Sequence, residues 1–162
     1  MFTYIFQDYK SISSGVRCLF SVNKVGKINI WLRLMFYFYR KGNKIFKLLS
    51  GVCHNHILKT YSSEISPGCK IGKKILFPHP IGIVIGFGCE LHDNIVIYQN
   101  VTLGKAKGDY PCLENNVTVF PNSSIIGPII IAENTTIGAN SVVLKSTESN
   151  SVYAGCPAKK IK

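Results

Sequence analysis

The chain has 162 residues, which suits one domain with a short appendage, and 46% of them are hydrophobic, enough for a buried core. Its formal net charge is +11 and its pI is about 9.5, which favours acidic partners such as anionic lipid or a phosphorylated ligand. No nucleic-acid-binding motif is visible, so no nucleic-acid partner is expected. Met1 to Lys10 lacks a basic start followed by an apolar run, so no signal peptide is expected.

The first segment, residues 1–61, is expected to be helical in part. Residues 28–60 predict one or two helices broken near Gly42, and their uncharged runs are far shorter than the ~18 residues of a membrane span. In one interpretation these helices cap the domain that follows. In another, a basic and aromatic face touches the inner surface of an anionic membrane. Its basic residues would be Arg33, Arg40, Lys41, Lys44 and Lys47.

Between residues 65 and 143, aliphatic residues recur at intervals of six, which fits neither a helix nor a single strand. A hexapeptide period is the signature of a parallel β-helix, in which three hexads form one triangular coil and each leading residue points inward. The predicted fold class is therefore an all-β solenoid behind a short N-terminal α-helical segment. The leading residues are Ile65, Ile71, Phe77, Ile83, Ile85, Leu91, Ile97, Leu103, Leu113, Val119, Ile125, Ile131, Ile137 and Val143.

A second set of mostly small or β-branched residues follows most leaders by four positions and is also expected to point inward. Nearby Gly and Asn residues suit corners that need a positive φ. A spacing of ten between Leu103 and Leu113 predicts a loop that protrudes within residues 104–112. The solenoid is predicted over 62–147, followed by a tail over 148–162, in which Gly155 and Pro157 predict a break in regular structure. The second set is Cys69, Ile75, Ile81, Cys89, Ile95, Val101, Val117, Ser123, Ile129, Thr135 and Ser141.

The six cysteines contain no CxxC pair, which indicates reduced thiols and a cytoplasmic protein. A zinc enzyme with this solenoid would be expected to carry a His-x4-His pair, and the chain has none, so no metal is expected. His92 is interpreted as an exposed corner residue. Cys69 and Cys89 occupy inward positions, where Cys acts as a small hydrophobe.

Four segments of the chain together resemble the bacterial hexapeptide-repeat acetyltransferases, in particular the serine acetyltransferase-like branch. They are HisProIleGlyIleValIleGly (79–86), GlnAsnValThrLeuGly (99–104), IleGlyAlaAsnSerValVal (137–143) and AlaGlyCysProAlaLys (154–159). This branch includes enzymes that O-acetylate sugars of capsules, O-antigens and exopolysaccharides. The resemblance implies a left-handed β-helix, a homotrimer, and acetyl-CoA as the donor, bound between neighbouring subunits.

The resemblance also assigns the site residues. His79 matches the catalytic base, and Glu64, fifteen residues earlier, matches the acid that orients it. The chemistry asks for the same pair, because an alcohol needs a base near neutral pH and a carboxylate fixes the tautomer of an imidazole. Cofactor-binding residues are expected at Lys105, Asn122, Ser123, Ala139, Lys159 and Lys160, with Lys107 as a further cation in the loop.

The acceptor is predicted to be a sugar hydroxyl in surface polysaccharide assembly, at the inner face of the membrane if the helices touch it. Serine acetyltransferases carry an Asp directly before the catalytic His, where this chain has Pro78. They carry a second His before the loop proline, where this chain has Tyr110, a ring suited to stacking on a sugar. The alternatives are a serine O-acetyltransferase of cysteine biosynthesis and a non-catalytic solenoid that serves as a binding module.

Overall fold

The computed structural model describes residues 24–162 and shows two helices followed by a β-solenoid of about four turns, which confirms the predicted fold class. The predicted helical segment before Lys24 lies outside the described residues. Helix α1 spans Lys24–Lys41 and helix α2 spans Lys44–Tyr61. The strands are β1 Glu64–Ile65, β2 Lys70–Ile71, β3 Val84–Ile85, β4 Glu90–Leu91, β5 Val96–Ile97, β6 Thr102–Gly104, β7 Cys112–Leu113, β8 Thr118–Val119, β9 Ser124–Ile126, β10 Ile130–Ile131, β11 Thr136–Ile137, β12 Val142–Val143, β13 Val152–Gly155 and β14 Ala158–Lys160.

Three sheets form the three sides of a triangular prism, and the chain visits them in a fixed order. Side A contains β1, β3, β6, β9 and β12; side B contains β2, β4, β7 and β10; side C contains β5, β8, β11, β13 and β14. Strands of successive coils pair in parallel, so leading residues lie directly over one another. On side A this register stacks Ile65, Ile85, Leu103, Ile125 and Val143.

The inward pattern holds with two exceptions, which have different causes. Most leading residues are buried, but Ile71 is half-buried and the side chain of Ile81 is 50% exposed. The step from Ile65 to Ile85 is twenty residues, whereas later coils without a loop take eighteen. The two extra residues lie after Phe77, and they push Ile81 outward while Ile83 takes the inward place. The prediction for Ile81 was therefore wrong because this coil is longer. Ile71, the other exception, lies beneath α1.

Asparagine side chains form hydrogen-bonded ladders at two of the three corners. Asn94 donates to Asn116, Asn116 to Asn134, and Asn134 to Asn150, over 2.9–3.1 Å. At another corner Asn100 donates to Asn122, and Asn122 to Asn140, over 3.0–3.1 Å. All these residues have φ between 52° and 61°, a left-handed conformation that Asn tolerates better than most residues. These φ values confirm the expectation for the asparagines, whereas Gly72, Gly86 and Gly138, expected at corners for the same reason, do not have a positive φ.

The two helices close the first coil, as the first interpretation expected. Ile28, Leu32 and Met35 of α1 are buried at helical spacing. The Asn29 side chain donates to the Ile75 carbonyl oxygen over 3.1 Å, and Arg33 donates to that of Gly72 over 2.9 Å, so α1 satisfies corner carbonyl groups of the first coil. Gly42, with φ of 77°, separates α1 from α2, as predicted.

The exposed apolar surface of the helices differs from the expected aromatic face. Phe36 of α1 is buried and Trp31 packs against the core, whereas Ile45, Leu48 and Val52 of α2 are 56–71% exposed. Among the described residues, no helix is long and apolar enough to cross a membrane. Contact with an anionic membrane stays a prediction, and α2 with its lysines is the face to test by vesicle binding.

The end of the chain differs from the predicted irregular tail. Gly155 and Pro157 indicated a break in regular structure, but β13 pairs in parallel with β11 and then turns back into β14. The turn contains a cis peptide bond between Cys156 and Pro157. Gly155 and Pro157 therefore form the turn of a hairpin that covers the edge of side C.

The asparagine ladder should contribute measurably to stability. Replacing Asn116 with Ala removes two ladder hydrogen bonds, each of which stabilises the fold by about 0.5–1.5 kcal/mol. It also places an alanine in a left-handed conformation, which costs about 1–2 kcal/mol. Asn116→Gly loses the same bonds without that strain, although the unfolded chain gains about 0.4–1 kcal/mol of entropy. In urea denaturation, the free energy of unfolding should be highest for the wild type, lower for Asn116→Gly and lowest for Asn116→Ala. Equal stability of all three chains would show that the ladder does not contribute to stability.

Candidate active site

One edge of the prism, between sides C and A, collects half of the site residues that the sequence singled out. We call it the His79 edge; it consists of the corners at 78–83, 98–101, 120–123 and 138–141. Successive strands lie about 4.8 Å apart, so this edge is roughly 14 Å long from the first corner to the last. Because each coil contributes one corner, residues far apart in sequence form a continuous strip here.

His79 lies in the longest corner of this edge, within the two-residue expansion. Its side chain is exposed, and its carbonyl oxygen accepts a hydrogen bond from the Ile81 amide over 2.8 Å. The Ser63 hydroxyl accepts a hydrogen bond from the Ile83 amide over 3.2 Å and lies 3.4 Å from the Pro80 carbonyl oxygen. The corner is thus held from below by the preceding coil, which fixes the backbone that carries the imidazole.

An aromatic column continues from His79 along the edge, and sequence reasoning missed it. The His79 and Tyr98 ring centroids are 6.3 Å apart, and Tyr98 stacks on Phe120 at 5.1 Å with an interplanar angle of 7°. Phe120 is 38% exposed. The signal in the sequence was an aromatic residue about one coil after each predecessor, with the spacing altered by the loop. The column gives the site a flat apolar wall beside the imidazole.

Glu64 lies at the start of β1, beside Val84 of the next coil. Its side chain is exposed, and within residues 24–162 its carboxylate forms no hydrogen bond to His79. Catalytic hydrogen bonds are often absent before substrate binds, so the position of Glu64 remains compatible with its predicted role. The pairing of His79 with Glu64 stays a prediction.

The expected cofactor residues lie at several places in the structure. Asn122 and Ala139 lie on the His79 edge, and the Gly155 amide in the terminal hairpin donates to the Ser141 hydroxyl over 3.2 Å, which extends the strip. Lys159 and Lys160 follow in β14, where Lys160 forms an ion pair with Glu148. Ser123 is fully buried and donates to the Gly138 carbonyl oxygen over 2.8 Å, so its side chain faces the interior and cannot line a groove.

Lys105 and Tyr110 belong to the protruding loop, which leaves the prism at the corner between sides A and B. The Tyr110 ring covers Gly86 and Gly88 of its own chain; a Cβ on either glycine would meet the ring at 2.3–2.4 Å. The Lys105 ammonium lies 5.8 Å from the same ring centroid. Tyr110 therefore packs the loop, and within one chain the loop and His79 lie at different edges.

Gln99, next to Tyr98 on the His79 edge, carries the buried side-chain oxygen Oε1, which has no hydrogen-bond partner in the part of the chain that the structure describes. Such groups are rare in folded proteins. Two thiols, by contrast, are purely structural. Cys69 and Cys89 are buried, which confirms that these cysteines serve as core residues, and burial raises the pKa of both thiols to about 12.

Comparison with known proteins shows what the chain is similar to. Residues 113–145 match the family described as bacterial transferase hexapeptide (six repeats). Serine acetyltransferases of Staphylococcus epidermidis and Staphylococcus aureus are 47% and 45% identical over 103 residues, which cover 61% of this chain and 48% of each relative. The chain is therefore similar to hexapeptide-repeat transferases and, over most of its length, to serine acetyltransferases.

Solved structures of serine acetyltransferases are also similar to this chain. A serine acetyltransferase in complex with CoA superposes with a TM-score of 0.77 at 30% identity, over 84% of this chain and 56% of that protein. Neisseria gonorrhoeae serine acetyltransferase superposes with a TM-score of 0.87 at 26% identity, over 99% of this chain and 65% of that protein. The chain thus spans about half the length of the curated relatives that it matches.

Proposed function

We propose that the protein is an acetyl-CoA-dependent O-acetyltransferase whose reaction takes place on the His79 edge. The observation that carries the proposal is an exposed imidazole, held by a rigid corner, at one end of a strip that contains Asn122 and Ala139. The solved relative that contains CoA supports this donor. Acetyl-CoA is a cytoplasmic metabolite, so the proposed reaction takes place in the cytoplasm.

In the proposed reaction His79 accepts the proton of the acceptor hydroxyl while the oxygen attacks the thioester carbonyl carbon. The tetrahedral intermediate then collapses, the carbon–sulfur bond breaks, and the imidazolium returns the proton to the departing CoA thiolate. Glu64 would orient the imidazole and stabilise its charged form. The products are the acetyl ester and free CoA, so atoms and charge balance without a metal.

L-serine is the acceptor that the relatives favour, in place of the sugar expected first from the sequence. The curated relatives compared above are named serine acetyltransferases at 45–47% identity. Tyr110 no longer supports a sugar, because its ring packs on Gly86 and Gly88 of its own chain. Serine is therefore the first acceptor to test.

A sugar hydroxyl is the second candidate, and the aromatic column favours it. Tyr98 and Phe120 provide a stacked apolar surface beside His79, of the kind that packs against the face of a sugar ring. Pro78, next to the imidazole, offers no charge to the ammonium group of serine. An unpaired ammonium in the site would cost about 1–3 kcal/mol, roughly tenfold or more in binding.

A homotrimer would bring the separated parts of the site together. His79 and the loop that carries Lys105 lie at different edges of one prism, so a groove that uses both needs two chains. Side A and its corners also expose Ile81, Val84, Phe87 and Phe120 by 38–56%, an apolar surface suited to burial between copies. Cyclic assembly would repeat this contact three times and produce three equivalent grooves.

Loss of the proposed base should abolish turnover without unfolding the chain. His79→Ala should lower kcat by about 10²–10⁴-fold, the usual contribution of a general base, because the hydroxyl is no longer deprotonated. Glu64→Gln should lower kcat less, since it orients the base and transfers no proton. His54→Ala, on α2, is the control. Release of free CoA thiol measures the rate, and wild-type turnover by His79→Ala would refute the assignment.

The acceptor can be decided by kcat/KM for L-serine beside a set of sugars and nucleotide sugars. Serine should give the highest value if the relatives share this chain's specificity. Pro78→Asp should then raise kcat/KM for serine by roughly tenfold, since it supplies a partner for the ammonium group. Should a sugar exceed serine, and should Phe120→Ala raise KM for that sugar alone, the second candidate replaces the first.

The assembly should be visible in light scattering as three times the 18.0 kDa of one chain. Val84→Glu places a charge on the exposed apolar surface of side A and should dissociate the trimer with loss of activity. Val84→Thr keeps the shape without the charge and should remain assembled. An active monomer would contradict the proposal that the groove lies between chains.

A further inference from the structure

A second cluster of reactive side chains lies on the outer face of side B. Glu90 in β4 is the direct neighbour of Cys112 in β7, and His92 follows Glu90 by two positions, so it points to the same face. The Cys112 sulfur lies 3.7 Å from His92 Nε2, and one ligand atom from each of the three residues lies within 4.8 Å of the others. The order of sides in each coil places this cluster opposite the His79 edge.

We propose that Glu90, His92 and Cys112 form a binding site for a divalent transition metal, with zinc as the first candidate. Zinc binds Cys sulfur, His nitrogen and carboxylate oxygen at about 2.0–2.3 Å, which sets tetrahedral ligand atoms roughly 3.3–3.8 Å apart. The sulfur–nitrogen pair already has this spacing, and a carboxylate oxygen of Glu90 lies within 4.8 Å of both atoms. A thiolate and an imidazole select zinc or a similar ion over magnesium or calcium.

The charges around the cluster suit such an ion. The carboxylates of Glu90 and Glu114 lie near enough to Cys112 to act on it electrostatically and favour a cation there, whereas Lys70 opposes one. Lys70 forms an ion pair with one oxygen of Glu90, and a carboxylate can bind a metal through its other oxygen. On binding, the thiol would release its proton to solvent, and the cation would balance the resulting thiolate.

A cavity beside the cluster has room for a fourth ligand. It has a volume of about 410 Å³ and is lined by Arg40, Lys70, Glu90, His92 and Asp93 among others. Three protein ligands leave one position of a tetrahedral ion open to water or an anion. Arg40 and Lys70 favour an anion at that position.

The location suggests what the ion does. Cys112 is the first residue of β7, where the protruding loop rejoins the solenoid, and Glu90 and His92 belong to the coil before it. A metal bound across β4 and β7 would therefore fasten the end of the loop to the preceding coil. The role is structural, because within one chain the site faces away from His79. It stands independently of the proposed acetyltransferase activity.

The test uses the full chain, freed of metal with a chelator and titrated with Co²⁺ and Zn²⁺. Co²⁺ should bind one ion per chain and produce a sulfur-to-cobalt charge-transfer band that Zn²⁺ abolishes. Cys112→Ser should lose the band, and His92→Ala should weaken binding at least about 100-fold, more than loss of a residue that only supports a ligand. Cys156→Ser and Cys18→Ser remove other thiols and should retain the band.

Trypsin provides a second readout, because the loop contains the exposed Lys105 and Lys107. Zinc should slow cleavage at these lysines in the wild type and in Cys156→Ser, but not in Cys112→Ser. Absence of the cobalt band in the wild-type chain would overturn the proposal. So would a band of wild-type intensity in Cys112→Ser, which would place the ion on another thiol.

Discussion

The structure depends on the parallel stacking of one inward residue per side on its counterpart in the next coil. Ile85 lies over Ile65 and under Leu103 because the strands that carry them pair without a shift. A slip of one residue would turn every inward side chain to solvent, so the register is fixed by burial. The outer faces and corners are free of this constraint and can carry other chemistry.

The proposed site residues His79 and Lys105 lie where the period of six is broken. The two extra residues after Phe77 push the corner of His79 outward, and the four extra residues after Leu103 create the loop of Lys105 and Tyr110. Each insertion is tolerated because it enlarges a corner and leaves the inward stack intact. The solenoid thus acts as a rigid frame on which corner lengths decide where reactive groups project.

The sequence predicted much of the frame because the frame is periodic. Inward residues, the corner asparagines and the break at Gly42 follow local rules that need no knowledge of neighbours in space. The aromatic column and the cluster at His92 were missed because their members lie about one coil apart, and coil length varies from eighteen to twenty-two residues. The terminal hairpin was missed because Gly155 and Pro157 were interpreted as breakers, when here they form a turn between paired strands.

The terminal hairpin has a consequence for how molecules meet one another. A parallel solenoid ends in open strand edges onto which another molecule could stack, and repetition of that contact would produce a filament. Here β14 runs antiparallel to β13 and places Lys159 and Lys160 along the outermost edge of side C, while α1 covers the opposite end of the prism. Reversed strand direction and like charge oppose continuation of the coil from one molecule into the next. On side C the hairpin thereby opposes end-to-end polymerisation.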